Sequence, residues 1–474
     1  RKPLRRRQRR RKPLGKSDKQ MKLLGFQQEA VDRLSNYLTH FRTWAQDNPR
    51  VARHAAQVAW DELNHVSDVR PYCKLSSSAG KSIPCLSFVI PTGGGKTITA
   101  MGCAIEATRN LTHTTNFVVW VVPSDTIYQQ TLAYLNDGYL NQFVLDSGFS
   151  ELQVKRIGDP WTVLDLGASV FTVLLVSRQS ITGNRADLHF RRPADSLRHL
   201  PIWNSVSEQP SLQNFLNLNK PVFVLDEAHG FYTDTGRSFF KEHDLTSCVL
   251  EFTATPKDYS GQDYPNVLVD VDARTLINEQ LIKHPLVCHS EPGLGPAELI
   301  AQVVQERDLL EQKLLKEGFN TTPKVLISCR RTAERHAEDT LSVQTIRGHL
   351  KDIGIDDSRI AIKSSERNEL ANEEVDSPNC QLQYILTQRA LVEGWDAKSV
   401  FKIVLVNDIG ASLTNFQIVG RGLRQPDRQY FVDKKLNALH VYTNGNKQDD
   451  ALNKLRDFLV GEGLAGGLAI TTNT

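Results

Sequence analysis

A glycine-rich turn lies between an apolar stretch and an amphipathic stretch in the first quarter of the chain. Residues 88–97 read FVIPTGGGKT, with Ile90 where such loops usually have their first glycine. Glycines let successive backbone N–H groups point at one phosphate, and the lysine that follows reaches the terminal phosphates of a nucleotide. The hydroxyl of Thr97 would bind Mg²⁺. The alternative is a flexible turn with an incidental lysine, but a strand before and a helix after favour a phosphate-binding loop. The predicted nucleotide-binding residues are Thr92, Gly93, Gly94, Gly95, Lys96 and Thr97.

A second candidate for nucleotide chemistry is an apolar run that ends in two carboxylates. Residues 221–229 read PVFVLDEAH, and Asp226 follows Lys96 by 130 residues. Ligands of open α/β sheets bind at the carboxyl ends of the strands, so we expect these carboxylates to project toward the phosphate loop. Asp226 would hold Mg²⁺, and Glu227 would orient and deprotonate the attacking water. Taken alone, the same pattern also fits an acidic turn in solvent.

Two later segments carry hydroxyl and guanidinium groups. The segment LEFTATP ends an apolar run with Thr253 and Thr255. Residues 417–424 read QIVGRGLR, and the spacing of three predicts that Arg421 and Arg424 share one helix face. Arginine suits a transferring phosphate because its guanidinium is forked and permanently charged. The second segment therefore predicts an element that stabilises the transition state of phosphate transfer.

The elements that must position these residues alternate between short apolar strands and helical stretches. This alternation is typical of an α/β fold with mostly parallel sheets. The strands form two sets on either side of a turn-rich segment at residues 290–296, and a helix is predicted to begin at Pro296 and end at Gly318. The predicted strands are Phe88–Ile90, Phe117–Val122, Val173–Val176, Val222–Leu225, Val249–Phe252, Val325–Ser328, Tyr384–Leu386, Ile403–Val406 and Ala438–Tyr442. The predicted domains are a basic arm at 1–20, a first domain at 21–275 with an irregular insertion around 132–220, a second domain at 276–460, and a tail or linker at 461–474.

Composition restricts the class of protein. The chain has 474 residues, of which 40% are hydrophobic and 23% are charged, and this excludes a mostly disordered chain. No apolar run reaches the roughly eighteen residues that a membrane-spanning helix needs. The seven cysteines include no CxxC pair and do not predict a disulfide framework. We therefore expect a cytoplasmic protein with no membrane partner.

Taken together and in this order, the segments resemble the motifs of superfamily 2 helicases and translocases. Two further matches extend the resemblance over residues 21–430. The segment LGFQQEA at 24–30 is similar to the adenine-recognising Q motif of that superfamily, with Gln27 at the glutamine position, and ALVEGWD at 390–396 resembles its motif V. The stretch NFQIVGRGLRQP looks most like the restriction subunit of type III restriction–modification enzymes.

The resemblance implies two RecA-like domains in tandem, with ATP in the cleft between them. The implied ATP-site residues are Gln27, Lys96, Thr97, Asp226 and Glu227 in the first domain and Gly394, Asp396, Gln417, Arg421 and Arg424 in the second. The residues implied to link nucleotide state to the nucleic-acid groove are His229, Thr253 and Thr255. The residues implied to contact the nucleic-acid backbone are Pro123, Ser124, Ser177, Arg178, Arg330 and Thr387.

These implications lead to an expected function. We expect an ATP- and Mg²⁺-dependent motor, a helicase or double-stranded DNA translocase, that serves a restriction or phage-defence system. A methyltransferase or a nuclease would be its partner subunit, or the chain would be the motor part of a larger enzyme. Two alternatives stay open. The chain could be an RNA helicase or RNA-sensing ATPase, or it could be a nucleotide-switched DNA clamp that recruits a nuclease without processive movement.

Two stretches imitate metal sites. Residues 426–435 read PDRQYFVDKK, which resembles the carboxylates and lysine of a metal-dependent nuclease. The spacing is short, and we interpret the match as chance. His284, Cys288 and His289 lie close in sequence, but no fourth ligand follows at a spacing typical of zinc sites. We interpret them instead as strand residues near the domain junction.

The net charge of +3 conceals a strongly basic arm at residues 1–20. The arm holds eleven Lys and Arg against one acid, Asp18, and its charge of +10 leaves −7 for the remaining residues. Such arms bind nucleic acid or act as localisation signals. The tetrapeptide RKPL occurs twice in the arm and Met21 follows it directly, so added or upstream sequence is an equally good interpretation.

Deleting residues 1–20 is expected to lower nonspecific nucleic-acid affinity, mostly at low salt, because counterion release drives binding by clustered basic residues. Apart from Leu4 and Leu14, the arm has no apolar side chains with which to dock on the rest of the chain. We expect ATP turnover at saturating nucleic acid to stay nearly intact. A salt titration of binding for both forms tests this. An equal salt slope would show that the arm does not touch nucleic acid, and a collapse of turnover would make the arm part of the motor.

Overall fold

Two parallel sheets follow one another along the chain, each covered by helices. The residues described by the computed structural model are 22–47, 51–63, 72–77, 80–111, 115–182, 190–228, 239–240, 244–254, 265–291, 293–329, 342–364, 367–370, 375–388, 397–405, 413–443, 455, 457, 459, 464 and 470–473. Over these residues the strands form two seven-stranded sheets and one small hairpin. The predicted α/β class with mostly parallel sheets is confirmed.

The first sheet follows a short antiparallel hairpin made by β1 (Leu75–Ser76) and β2 (Ser82–Ile83). The strands of this sheet are β3 (Cys85–Val89), β4 (Asn116–Val122), β5 (Glu151–Arg156), β6 (Val170–Ser177), β7 (Val222–Asp226), β8 (Cys248–Thr253) and β9 (Val267–Asp270). Their order is β5-β6-β4-β7-β8-β3-β9, and all neighbours are parallel. The central strands are apolar along their length because helices cover both faces of the sheet.

The second sheet repeats this design. Its strands are β10 (Leu286–Ser290), β11 (Lys324–Ser328), β12 (Ile360–Lys363), β13 (Tyr384–Thr387), β14 (Val400–Leu405), β15 (Leu439–Thr443) and β16 (Ile470–Asn473). Their order is β12-β13-β11-β14-β15-β10-β16, again with parallel neighbours. Because all strands of a parallel sheet end on the same edge, each sheet presents one edge at which loops from several strands meet.

The helices connect these strands and cover the sheets. In chain order they are α1 (Gly25–Asp47), α2 (Ala55–Leu63), α3 (Lys96–Leu111), α4 (Asp125–Leu135), α5 (Gly138–Asp146), α6 (Arg178–Thr182), α7 (Leu212–Asn219), α8 (Ala273–Asn278), α9 (Pro296–Lys316), α10 (Val343–Asp352) and α11 (Leu413–Gly422). α1 packs against α3, which directly follows the glycine-rich turn. Within the described part of the chain, no helix is both long enough and apolar enough to cross a bilayer.

The predicted elements agree with the structure where the apolar signal was strong. Each predicted strand overlaps an observed strand, and the helix predicted from Pro296 is α9. Cys288 and His289, interpreted as strand residues near the domain junction, do lie in β10, whereas β1, β2, β5, β9, β12 and β16 were not predicted. β5 shows why, because it is an edge strand of mixed polarity with no buried residue. Residues 151–177, which we expected within an irregular insertion, contain β5 and β6 and are part of the first sheet.

The chain passes from the first sheet to the second through α8 and a short connection at residues 279–285, here called the linker. The linker does not lie free on the surface. Ile282 forms a bridge with Arg424, and the Tyr430 hydroxyl donates a hydrogen bond to the Ile282 carbonyl over 2.7 Å. The backbone N–H of His284 donates to the Asn437 carbonyl over 2.8 Å. The linker is therefore fixed against the segment that follows α11.

Candidate active site

A cleft of about 1250 Å³ opens at the carboxyl ends of the strands of the first sheet. Such strand ends are the usual ligand site of open α/β sheets. The cleft is also lined by residues that follow strands of the second sheet, so both halves of the chain contribute to it. The predicted site residues among its walls are Gln27, Thr92, Gly93, Gly94, Gly95, Lys96, Thr97, Asp226, Glu227, Arg421 and Arg424.

The phosphate loop connects the end of β3 to the start of α3 at Lys96. Gly95 has a φ of 75°, a left-handed conformation that residues with side chains rarely adopt. At Gly94 a Cβ atom would lie 2.6 Å from Cγ2 of Ile90, which leaves no room for a side chain. The loop therefore needs glycine for its backbone conformation at one position and for its packing at another.

Gln27 lies beneath this loop with both ends of its amide engaged. Its Oε1 accepts a hydrogen bond from the Leu24 backbone N–H over 3.0 Å, and its Nε2 donates to the Gly94 carbonyl over 3.3 Å. The residue is 2% exposed. In this structure the amide thus ties the start of α1 to the phosphate loop. Recognition of adenine by Gln27 stays a prediction, and it would require these contacts to be exchanged.

The acidic pair ends β7 and faces the lysine of the loop. Nζ of Lys96 lies 3.0 Å from Oε1 of Glu227. The backbone of Glu227 is left-handed, with a φ of 50°, and its N–H donates to Oδ1 of Asp226 over 3.1 Å. Non-glycine residues held in this conformation are concentrated at functional sites. The turn directs the Glu227 carboxylate toward Lys96 rather than away from the loop.

Asp226 has a carboxyl group whose charge is poorly compensated. Loss of solvent around the side chain and the nearby Glu227 carboxylate raise the pKa of Asp226 to about 7, although Lys96 opposes the rise. A divalent cation beside the carboxylate would favour its ionised form. Oxygen ligands are those that Mg²⁺ prefers, and Thr97, which carries a hydroxyl, lines the same cleft. These residues therefore fit the predicted Mg²⁺ site.

Arg421 and Arg424 both line the cleft, but their positions relative to α11 differ from the prediction. α11 ends at Gly422, so Arg421 lies on the helix and Arg424 lies beyond it. The reason is that the next residues pair with the linker, since the Gln425 N–H donates to the Leu281 carbonyl over 2.9 Å. The expectation of one shared helix face is wrong, yet both arginines line the cleft. A Cβ atom on Gly93 would lie 3.4 Å from Cγ of Arg424, which places this arginine directly against the phosphate loop.

Several predicted site residues lie in parts of the chain that the structure does not describe. Gly394, Asp396, His229, Thr255 and Arg330 lie outside the described residues, as does the side chain of Gln417. Their roles stay predictions.

The residues predicted to couple or to bind nucleic acid differ in exposure. Pro123, Ser124 and Arg178 are partly exposed at the carboxyl ends of β4 and β6. Ser124 also begins α4, because its Oγ accepts a hydrogen bond from the Ile127 N–H. The residues with buried side chains are Thr253, Ser177 and Thr387. Ser177 and Thr387 therefore do not present their hydroxyls to a nucleic-acid backbone in this structure, and the Ser177 hydroxyl instead bonds that of Ser180 over 2.7 Å.

The cleft contains residues that sequence reasoning missed. Tyr134 lies in the last turn of α4 and lines the cleft, where partial burial raises the pKa of its hydroxyl against the opposing effect of Arg428 and Arg424. Asp376 accepts hydrogen bonds from the backbone N–H groups of Lys398 and Ser399, each over 2.9 Å. Neither position belongs to a recognisable spacing pattern. They reach the cleft only because loops from distant strands meet at one edge.

The stretches that imitate metal sites have structural roles. Oδ1 of Asp433 accepts a hydrogen bond from the Lys435 N–H over 3.0 Å and so begins a short helical turn. Nε2 of His289 lies 2.9 Å from Nδ1 of His440, and its ring stacks on Tyr442. Among the residues that the structure describes, no group of three or more His, Cys, Asp or Glu is arranged to hold a metal ion.

Comparison with known proteins gives one family match. A family model described as type III restriction enzyme, res subunit, matches residues 20–258. No curated protein matches the chain. Many solved structures are similar in fold.

Three of these solved structures, each of a different protein, illustrate the similarity. The ATP-dependent type ISP restriction–modification enzyme LlaBIII, solved bound to DNA, has a TM-score of 0.50 at 13% identity; the alignment covers 96% of this chain and 31% of that one. The DUF1998 helicase MrfA, bound to DNA and AMPPNP, has a TM-score of 0.45 at 13% identity, with coverage of 82% and 50%. Dbp5 of S. cerevisiae, bound to RNA and ADP BeF3, has a TM-score of 0.42 at 15% identity, with coverage of 83% and 85%.

These likenesses concern the fold, because the identities are low. The fold is that of tandem RecA-like helicase domains, as predicted. This chain spans about a third of the length of the restriction–modification enzyme.

Proposed function

This chain belongs to the type III restriction enzyme res subunit family, and we propose that it is an ATP-dependent motor that moves on double-stranded DNA. The observation that carries the proposal is the shared cleft. A phosphate loop and an acidic pair from the first sheet face two arginines from the second half of the chain. Phosphate transfer needs this combination of a phosphate cradle, a placed nucleophile and positive charge for the transition state.

Each residue has a proposed role in hydrolysis. Lys96 and the loop N–H groups bind the terminal phosphates of ATP, and Glu227 accepts a proton from the attacking water. Mg²⁺, held by Thr97 and Asp226, would neutralise charge on the phosphates. Lys96 and Glu227 form an ion pair in this structure, and ATP binding would draw Lys96 toward the phosphates. Glu227 would then be released to orient water.

Arg421 and Arg424 provide the link to movement. Both belong to the second half of the chain but line the cleft that the phosphate loop opens. ATP would draw the two halves together, and phosphate release would let them separate. Partly exposed residues at strand ends, such as Pro123, Ser124 and Arg178, would hold the nucleic-acid backbone, and such contacts position the nucleic acid without reading its sequence.

The proposed DNA substrate and defence role rest on the family. Restriction enzymes act on DNA, which favours DNA over RNA. A methyltransferase and a nuclease, as partner subunits or as parts of a longer enzyme, would complete a restriction system. The nuclease is not proposed within residues 426–435, because Asp433 there serves a helical turn.

The purified chain is expected to show ATP hydrolysis stimulated by duplex DNA, with no nuclease activity. Turnover is measured with duplex DNA, with RNA and without nucleic acid, and plasmid cleavage is measured with Mg²⁺. Stronger stimulation by RNA would favour an RNA helicase. Plasmid cleavage that is lost in Asp433→Ala would overturn the interpretation of the 426–435 stretch.

Movement is tested separately by displacement of a triplex-forming strand far from the loading site. A translocating motor strips a distant third strand, whereas a nucleotide-switched clamp leaves it in place. Stimulated hydrolysis without displacement would therefore replace the motor by the clamp.

A further inference from the structure

A buried lysine lies in the linker, directly beneath the end of α11. Lys283 is 0% exposed. Its Nζ donates hydrogen bonds to the carbonyls of Lys398 over 2.9 Å, of Gly422 over 3.0 Å, and of Arg424. The same Nζ lies 4.9 Å from the centre of the Phe401 ring. A buried ammonium is tolerated only when its donors are satisfied, so this cage holds the lysine in one place.

The carbonyls of Gly422 and Arg424 belong to the segment that carries the cleft arginines. The last carbonyls of a helix have no donor within the helix, and the helix dipole favours positive charge at this end. The Lys283 ammonium meets both needs at the end of α11. It therefore fixes the backbone on either side of Arg424 and immediately after Arg421.

The backbone around Lys283 strengthens this attachment. The Lys283 N–H donates to the Leu423 carbonyl over 2.5 Å, and Ile282 pairs with Arg424. A Cβ atom on Gly93 would lie 3.4 Å from side-chain atoms of both Ile282 and Arg424. The linker, the arginine segment and the phosphate loop are thus stacked in direct contact.

The third carbonyl connects the lysine to another wall of the cleft. Lys398 lines the cleft, and the Asp376 carboxylate accepts a hydrogen bond from its backbone N–H. Lys283 binds the carbonyl of the same residue. The backbone of Lys398 is therefore held from both sides, by an acid and by the buried lysine.

We infer that Lys283 is a positioning residue for phosphate transfer, one that fixes Arg421 and Arg424 to the linker through their own backbone. The inference rests on the proposed ATPase function. Rate enhancement by a charged group depends on preorganisation, so a shift of a few tenths of an ångström in the guanidinium groups would lower turnover. Because the lysine is in the linker, the orientation of the arginines depends on the linker conformation.

Lys283→Met keeps the length of the side chain and removes the ammonium. We expect kcat for ATP hydrolysis to fall about tenfold or more, as for a displaced transition-state arginine. The KM for ATP and the affinity for ADP should stay within about twofold, because the phosphate loop belongs to the other sheet. The affinity for ADP with aluminium fluoride, a transition-state mimic, should fall by about the same factor as kcat.

Lys402→Met is the matched control. Lys402 is also a buried lysine of the second sheet, but its Nζ lies 2.9 Å from Oε2 of Glu306, beneath α9. We expect this variant to lose thermal stability and to keep its kcat. Equal losses of kcat in the two variants would mean that Lys283 has only a structural role.

A double-mutant cycle with Arg424→Ala gives the decisive readout. If Lys283 acts through the arginine segment, Lys283→Met should lower kcat by a smaller factor in the Arg424→Ala background than in the wild-type chain, where it displaces both arginines. Factors of kcat loss that multiply in the double variant would overturn the inference.

Lys283→Arg keeps the positive charge and the hydrogen-bond donors. It should fold if the Met variant does not, and it should retain a higher kcat than the Met variant. Wild-type kcat in Lys283→Met would also overturn the inference, whereas an absence of hydrolysis in the wild-type chain would instead contradict the proposed function.

Discussion

Lys96→Ala is expected to lower ATP hydrolysis at least about a hundredfold, the scale seen when one preorganised transition-state donor is removed. Lys96 begins α3 and is the cation that the phosphate loop places next to the acidic pair, 3.0 Å from Glu227. Without it, the carboxylates of Asp226 and Glu227 would face an anionic nucleotide with less compensation. Affinity for ATP should therefore fall together with turnover.

The measurement is ATP turnover and equilibrium binding of a fluorescent ATP analogue by the purified variant. Lys81→Ala is a suitable control, because Lys81 is exposed at the β1–β2 hairpin and does not line the cleft. Near-normal turnover by Lys96→Ala would remove the assignment of the phosphate loop.

Glu227→Gln is expected to trap ATP, with hydrolysis reduced on the order of a hundredfold or more. The amide keeps the shape of the side chain but cannot accept a proton from water. Replacing the carboxylate also removes the charge that pairs with Lys96 and one cause of the raised pKa of Asp226. Lys96 would then be more available to phosphates, so ATP binding should be retained or improved.

Single-turnover hydrolysis separates this outcome from a loss of binding. Glu29→Gln, an exposed position on α1, controls for loss of one carboxylate. If binding disappears while the residual complex hydrolyses ATP at the normal rate, the general base lies elsewhere.

Local sequence patterns predicted the central strands and several residues of the cleft, but not the edge strands. The apolar runs predicted the central strands because a parallel sheet covered on both faces needs apolar residues throughout each strand. Edge strands such as β5 carry no such requirement, and the sequence did not reveal them. The motif spacings likewise placed the acidic pair at the end of β7 and Lys96 in the loop that follows β3, and the fold brings these groups into one cleft.

The chain by itself thus determined the parallel sheets, the phosphate loop and the charged groups that face it, because each depends on residues that are neighbours in sequence. Tertiary structure decided the rest. α11 ends at Gly422 because the next residues pair with the linker, and the Gln27 amide faces the loop because Gly94 lies over it. The contact between Lys283 and the carbonyl of Gly422 joins residues 139 positions apart. Such a contact leaves no periodic signal, since only packing of the linker against the arginine segment brings the two groups together.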